Sequence, residues 1–406
     1  MKVNIRATAL AVVAGVLAAT WVSAAFAQKN YGPGVSDTEI KIGNTAPYSG
    51  PASALSLLAK TQAAYFKMIN EAGGVRGRKI NFISYDDAYS PPKTVEQVRK
   101  LVESDEVLFL FSTLGTATNS AIQKYANQKE VPHIFVASGA SKWADPANFP
   151  WSMGWQPNYK AEARIYAKYI LKTFPGKTVG VLYQNDDFGK DFIAGLNEIF
   201  GAKKSAIVVA EVPYETSSPT VESLVVQIKS ANPDIFLNIA TPKFGAQAIK
   251  KIGELGWKPI QFIPNGVNSI AAVLKPAGLD FSQGLLSSTF QKDPIDPQWR
   301  DDPGVKEFNA FMTKWYPEGD RTDVSTIFGY STAKALIAVL NQCGDNLTRE
   351  NLMKQMKSLN MQSDVYLPGI TIKTSATDYS PIDQVQMMRF EGESWKPFGP
   401  LIESGD

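Results

Sequence analysis

The chain is 406 residues long, carries 41 lysines and arginines against 39 aspartates and glutamates, and holds one histidine and one cysteine. Charge this evenly balanced gives no general attraction to nucleic acid or anionic lipid, and the lone Cys343 can close no internal disulfide, so burial must supply the stability. A length of this order exceeds what one core usually serves, and two domains are expected.

The first segment has the parts of a secretory signal peptide in order. Lys2 and Arg6 make a positive start, the run 7–22 is almost wholly apolar, and Ala25-Phe26-Ala27 puts small residues where a signal peptidase reads. Gly15, Thr20 and Ser23 interrupt that run, which is short against the roughly 20 apolar residues of a spanning helix. Residues 1–27 are therefore expected to be removed, leaving a formally neutral periplasmic chain that begins at Gln28 and runs as a monomer.

Beyond it, β-like and helix-like runs alternate. A strand is predicted over 40–43. Leu57, Leu58, Tyr65, Met68 and Ile69 then recur at helical spacing up to the stop at Gly73-Gly74. A strand over 80–85, a helix with Val95, Val98, Leu101 and Val102 on one face, an apolar strand over 107–111, a helix over 121–127 and a strand over 133–137 follow. The pattern restarts after Gly154, with strands over 178–183, 207–212 and 234–240 and helices over 190–200, 220–230 and 245–255. Apolar strands separated by helices imply parallel sheets covered on both faces. The expected fold is α/β, two doubly wound parallel-sheet lobes with a ligand crevice beyond the carboxyl ends of their strands.

Two loops stand out at those ends. Thr113-Leu114-Gly115-Thr116-Ala117-Thr118-Asn119 opens a helix, and Val136-Ala137-Ser138-Gly139-Ala140-Ser141 repeats the arrangement after the next strand. A glycine among hydroxyl residues there exposes N–H groups at the positive helix end, which favours an anion by about 0.3–1 kcal/mol, although ordinary caps and tight turns use the same residues. Aromatic residues gather in the same region: Tyr48, Tyr89, Trp143, Trp151, Trp155 and Phe188.

Little here suits catalysis. There is no G-x-S-x-G elbow, Leu171 stands where a P-loop ending at Gly176-Lys177-Thr178 needs its first glycine, and His133 sits in an apolar strand and reads as packed. Asp86-Asp87 and Asp186-Asp187 read as loop-capping pairs, so no catalytic residue, metal or cofactor is expected.

The pieces Ile40-Lys41-Ile42-Gly43, Asn70-Glu71-Ala72-Gly73-Gly74-Val75, Tyr85-Asp86-Asp87 and Leu182-Tyr183-Gln184-Asn185-Asp186-Asp187-Phe188-Gly189, in this order, resemble the leucine/isoleucine/valine-binding type of periplasmic solute-binding protein that serves ABC transporters. The resemblance implies a type I periplasmic binding protein fold with three hinge crossings, near Gly154, Ser288 and Pro368. Lobe I would then hold 36–154 and 288–368, and lobe II 155–287 and 369–400. It further implies a small-molecule ligand, a membrane permease as partner, and no enzymatic activity; the same fold also serves as the sensing module of membrane receptors.

The resemblance points to Gly115 or Thr116, Ser138 and Ala140 for a carboxylate and to Phe188 as an aromatic wall; Gly139 in the same loop, Tyr48 and Tyr89 in the strand-end loops and Trp155 at the first crossing complete the expected ligand-binding positions. Pro264-Asn265-Gly266-Val267 matches the place where amino-acid binders carry a glutamate for the ligand's ammonium, and Thr241 stands where some carry a stacking tyrosine. Asn265 cannot neutralise an ammonium as a glutamate does. The expected ligand is a carboxylate without an α-amino group, possible aromatic acids included, with a branched-chain amino acid or an amide as the alternative and Asp186 or Asp187 as substitutes for the missing acid.

Overall fold

In the computed structural model, which describes residues 29–403 and Gly405, the first sheet runs β1 (Glu39–Ala46), β2 (Lys79–Asp86), β3 (Phe109–Phe111), β4 (His133–Val136) and β5 (Ser152–Gly154). All pairs are parallel and the spatial order is β2-β1-β3-β4-β5. The expected signal segment and its cleavage position lie outside the described residues. Every residue of β3 and β4 is buried, as a strand covered on both faces requires. Helices α1 (Leu57–Glu71), α2 (Pro91–Glu103) and α3 (Thr116–Gln128) supply the cover. α1 stops as expected: Gly73 and Gly74 both take positive φ, and the Gly74 N–H returns to the Ile69 carbonyl at 2.9 Å.

The second sheet has seven strands: β6 (Val179–Gln184), β7 (Val208–Tyr214), β8 (Ile235–Ile239), β9 (Ile260–Phe262), β10 (Leu286–Thr289), β11 (Gln384–Glu391) and β12 (Ser394–Glu403), in the order β12-β11-β10-β9-β8-β6-β7. β6 to β10 are parallel. β11 runs antiparallel to both β10 and β12, so this sheet is mixed at its edge rather than wholly parallel. The cause is local: Glu391 pairs with Ser394 across a two-residue turn whose Gly392 has φ 64°, and a turn that tight can join only antiparallel strands. Helices α4 (Tyr159–Thr173), α5 (Asp187–Phe200), α6 (Glu222–Ser230) and α7 (Pro242–Glu254) accompany this sheet.

After β10 the chain returns to the first lobe as α8 (Pro303–Trp315), α9 (Val324–Cys343) and α10 (Arg349–Met356). α9 lies against α1, where Gln62 Nε2 donates to Thr332 Oγ1 at 3.0 Å, and a Cβ on Gly329 would come within 2.6 Å of the Leu58 carbonyl oxygen. The chain thus passes between lobes three times: between Gly154 and Tyr159, between Thr289 and Pro303, and between Lys373 and Gln384. Two of these fall later than expected. Ser288 is still a ladder residue of β10. Residues 369–373 stay with the first lobe because Ile372–Lys373 pairs with Asn360–Met361 and Thr374 Oγ1 donates to the Met356 carbonyl at the end of α10. Cys343 is buried, which pushes its thiol up to about 12. Among the described residues no helix is long and apolar enough to cross a membrane.

Candidate functional site

Between the lobes lies a cleft of about 730 Å³, its open mouth included. The first lobe contributes Tyr89, Leu114, Gly115 and Thr116, the second Phe188, Thr241 and Pro264 to Val267, and the crossings Gln156, Tyr159, Phe290 and Gln291. Its described lining contains no aspartate, glutamate, lysine, arginine or histidine. A recess of about 500 Å³ adjoins it and shares Gln291 and Val324 with it.

One wall is the N-terminus of α3. Gly115 precedes it at φ 104°, and no side chain caps the first turn, whose N–H groups have no intrahelical acceptor. The turn is held rigid from behind. Asn119 Nδ2 donates to the carbonyls of Thr113 (2.9 Å) and Gly115 (2.6 Å), while its Oδ1 accepts from Thr113 Oγ1 at 2.5 Å and lies 2.9 Å from His133 Nε2. Thr118 Oγ1 donates to the Leu114 carbonyl at 2.6 Å. An uncapped, fixed helix start facing an uncharged cleft is suited to a carboxylate or another acceptor group.

Of the expected ligand positions, Tyr89, Gly115, Thr116, Phe188, Thr241 and Asn265 line the cleft together. The others do not. Tyr48 Oη pairs with Ser84 Oγ at 2.6 Å, at the ends of the first lobe's strands. Ser138 stands one layer back, its Oγ 2.7 Å from Thr116 Oγ1 and accepting from Trp143 Nε1 at 3.0 Å, so it orients Thr116. Gly139 and Ala140 border a separate small recess; a Cβ on Gly139 would lie 2.7 Å from the Tyr159 ring, so that glycine lets the first crossing approach. Trp155 is sealed in the hinge, stacked on Phe135 at 4.0 Å with its Nε1 donating to Tyr366 Oη at 3.1 Å.

Sequence reasoning missed Gln156, Tyr159, Phe290, Gln291 and Phe328, which also line the cleft. Among the lining rings, Tyr159 and Phe188 pack as a pair, with ring centroids 4.8 Å apart. Thr241 is backed by a tyrosine from elsewhere: Tyr214 Oη accepts from the Thr241 N–H at 2.9 Å.

Asn265 has the most consequential neighbour. Its N–H and Nδ2 donate to Oε1 and Oε2 of Glu162, each at 2.9 Å. Tyr166 Oη (2.5 Å) and Ser288 Oγ (2.7 Å) donate to the same carboxylate. Burial raises the Glu162 pKa, and these four donors oppose it. Asp186 caps α5 through the Phe188 N–H at 3.0 Å and accepts from Gln184 Nε2 at 2.6 Å. Neither it nor Asp187 lines the cleft.

α5 instead bridges the lobes. Asp187 Oδ2 accepts from Ser120 Oγ at 2.9 Å and Lys142 Nζ at 3.1 Å, and Asp191 accepts from the N–H (2.6 Å) and Oγ (2.9 Å) of Ser141. The Asp187 pair is half-exposed and contributes about 0–1 kcal/mol. Bonds to the less exposed Asp191 carry more, roughly 1.5–3 kcal/mol for a charged acceptor. Asp191→Ala is expected to open the lobes, seen as a larger radius of gyration in small-angle scattering of the ligand-free protein; an unchanged radius would show that closure does not depend on this contact.

A family model described as periplasmic binding protein matches residues 39–394. Leu/Ile/Val-binding protein homolog 7 of Brucella suis is 24% identical over 330 residues, covering 77% of this chain and 79% of the relative. Among solved structures, a branched chain amino acid ABC transporter protein from Thermus thermophilus with bound valine superimposes with TM-score 0.81 at 15% identity, covering 91% of this chain and 97% of that one. A solute binding protein from Rhodopseudomonas palustris in complex with 3,4-dihydroxybenzoic acid gives 0.75 at 20% identity, covering 91% and 98%. At such identities the structures establish the bilobed fold.

Proposed function

The chain belongs to the periplasmic binding protein family, and from that premise we propose that its cleft takes a small carboxylic acid with an apolar or aromatic body and no α-ammonium. The family consists of non-catalytic, extracytoplasmic solute-binding proteins, and this member carries a small organic solute to the membrane permease of an ABC importer. The observation behind the finer reading is the cleft's lining: an uncapped helix start for an anionic head, aromatic rings for a body, and no acidic side chain for a cation. Each charge-assisted hydrogen bond at the helix start contributes roughly 1.5–3 kcal/mol. Burying about 150 Å² of apolar ring adds roughly 4 kcal/mol. After ordering costs these are enough for micromolar affinity.

A second reading, a branched-chain amino acid, is favoured by the name of the Brucella relative and by the valine in the Thermus structure. It asks Asn265 Oδ1 to take the ammonium with Glu162 behind it. A thermal-shift screen over aromatic acids, aliphatic acids, amides and amino acids separates the two. Aromatic or aliphatic acids are expected to raise the melting temperature most; stabilisation by leucine or valine alone would overturn the first reading in favour of the second.

A further inference from the structure

We propose that Glu162 is a positioning residue that locks the Asn265 amide with Oδ1 facing the cleft, so that the site selects acids that also carry a hydrogen-bond donor, a ring or chain hydroxyl. The inference deepens the reading of the cleft as a carboxylate site and rests on it.

A carboxylate only accepts, so the group of Asn265 that meets Glu162 Oε2 at 2.9 Å must be its nitrogen. The backbone N–H of the same residue meets Oε1 at 2.9 Å, which pins Asn265 at both ends and prevents the side chain from swinging away. Tyr166 and Ser288 donate to Oε1 as well, at 2.5 and 2.7 Å, and fix the carboxylate in place. Asn265 borders the cleft and its Oδ1 has no partner among the described residues, yet that atom is not among the sealed, unpartnered polar atoms of the interior. A fixed acceptor therefore faces the ligand. A purely apolar group placed there would desolvate Oδ1 without replacing its bond, whereas a hydroxyl would satisfy it. Glu162 does not border the cleft itself, so its influence runs through Asn265.

Replacing the carboxylate by an amide inverts the arrangement. In Glu162→Gln the new oxygen can keep the three donors now on Oε1, but the new nitrogen faces Asn265 Nδ2, donor against donor. The Asn265 amide then turns over and presents its nitrogen to the cleft.

The test is a calorimetric comparison of two matched pairs, 4-hydroxybenzoate with benzoate and leucine with 4-methylpentanoate, on wild type and Glu162→Gln. In wild type the donor-bearing member of at least one pair is expected to bind about tenfold tighter than its partner, and in the variant that preference is expected to vanish or reverse while the donor-free acid keeps its affinity. Equal affinities within each pair in wild type would overturn the inference and leave the carboxylate reading standing. A preference confined to leucine would support the fixed acceptor while overturning the absence of an ammonium, and no binding by any of the four would bring down both. A folded variant that retains the wild-type preference would overturn the part given to Glu162. Should the variant not fold, Asn265→Leu serves as the second probe: it is expected to abolish the preference, and its persistence there would overturn the proposal.

Discussion

Gly115→Ala is expected to weaken ligand binding by about a hundredfold, equivalent to about 2.7 kcal/mol, and to cost the fold a comparable amount. The added Cβ would sit 2.5 Å from Tyr89 Cε2 and 2.6 Å from Thr118 Oγ1, separations that real Cβ atoms do not tolerate. Neither neighbour can yield cheaply. Tyr89 is part of the cleft wall; burial and the nearby Asp186 charge push its pKa well up, against an opposing hydrogen bond with Gln184. Thr118 Oγ1 is committed to the Leu114 carbonyl at 2.6 Å. Backbone strain adds to the clash, since φ 104° with ψ 151° is a conformation open to glycine and costs other residues about 1–3 kcal/mol. Relief requires moving the start of α3, the element proposed to hold the ligand's head. Gly176→Ala is the control, because its φ of 80° imposes strain with no atom near the new Cβ and no place in the cleft. Titrating any ligand found in the screen against wild type and both variants checks the point: a Gly115→Ala affinity equal to that of the control would remove the helix start from the binding site.

The alternation of apolar strands with helices made the two lobes legible, because a strand covered on both faces has to be apolar along its length, as β3 and β4 are. Glycine and hydroxyl residues at the start of α3 were legible for a similar reason: only glycine fits the backbone there. The end of the second sheet was not. β11 reads Gln384-Val385-Gln386-Met387-Met388-Arg389 and β12 contains two prolines, so neither shows the apolar run by which the parallel strands announce themselves. Within the site, aromatic residues near predicted strand ends were visible, but their depth was not. Trp155 and Phe188 look alike in a sequence, and only packing puts the first behind Phe135 and the second on the cleft. The pairing of Asn265 with Glu162 spans 103 residues, and Glu162, a charged residue in the first turn of α4, reads as a solvated helix start until distant segments of its own lobe fold over it. Reading the loss of the acid at 265 without its neighbour therefore gave only half of the local chemistry.

Acidification is expected to cost the fold on the order of 5 kcal/mol through His133 alone. The ring is wholly buried in β4, which lowers its pKa from 6.5 to about 3. The unfolded chain takes up this proton near 6.5 and the folded chain only near 3, so between those values the unfolded state binds more protons. The stability is present above 6.5 and is lost as pH falls toward 3, at about 1.4 kcal/mol per pH unit. The local bonding says why. Nε2 already lies 2.8 Å from Thr113 Oγ1 and 2.9 Å from Asn119 Oδ1, and Nδ1 is buried with no partner, so a second ring proton would meet no acceptor. Other groups pull the opposite way. Burial raises Asp293 to about 6, so the folded state binds that proton first and gains stability as pH falls from 6 toward 3.8. Asp87, Asp186 and Asp323 are shifted in the same direction. The overall pH profile is therefore a difference of opposed terms, and comparing urea unfolding of wild type and His133→Gln across this window isolates the histidine. Wild type is expected to lose stability relative to the variant on every step below about pH 6. Because His133 is the only histidine of the chain, its imidazole resonance can be followed without ambiguity in the folded protein. A resonance titrating near the ordinary value of about 6.5 would overturn the prediction and show that water reaches the back of the α3 turn.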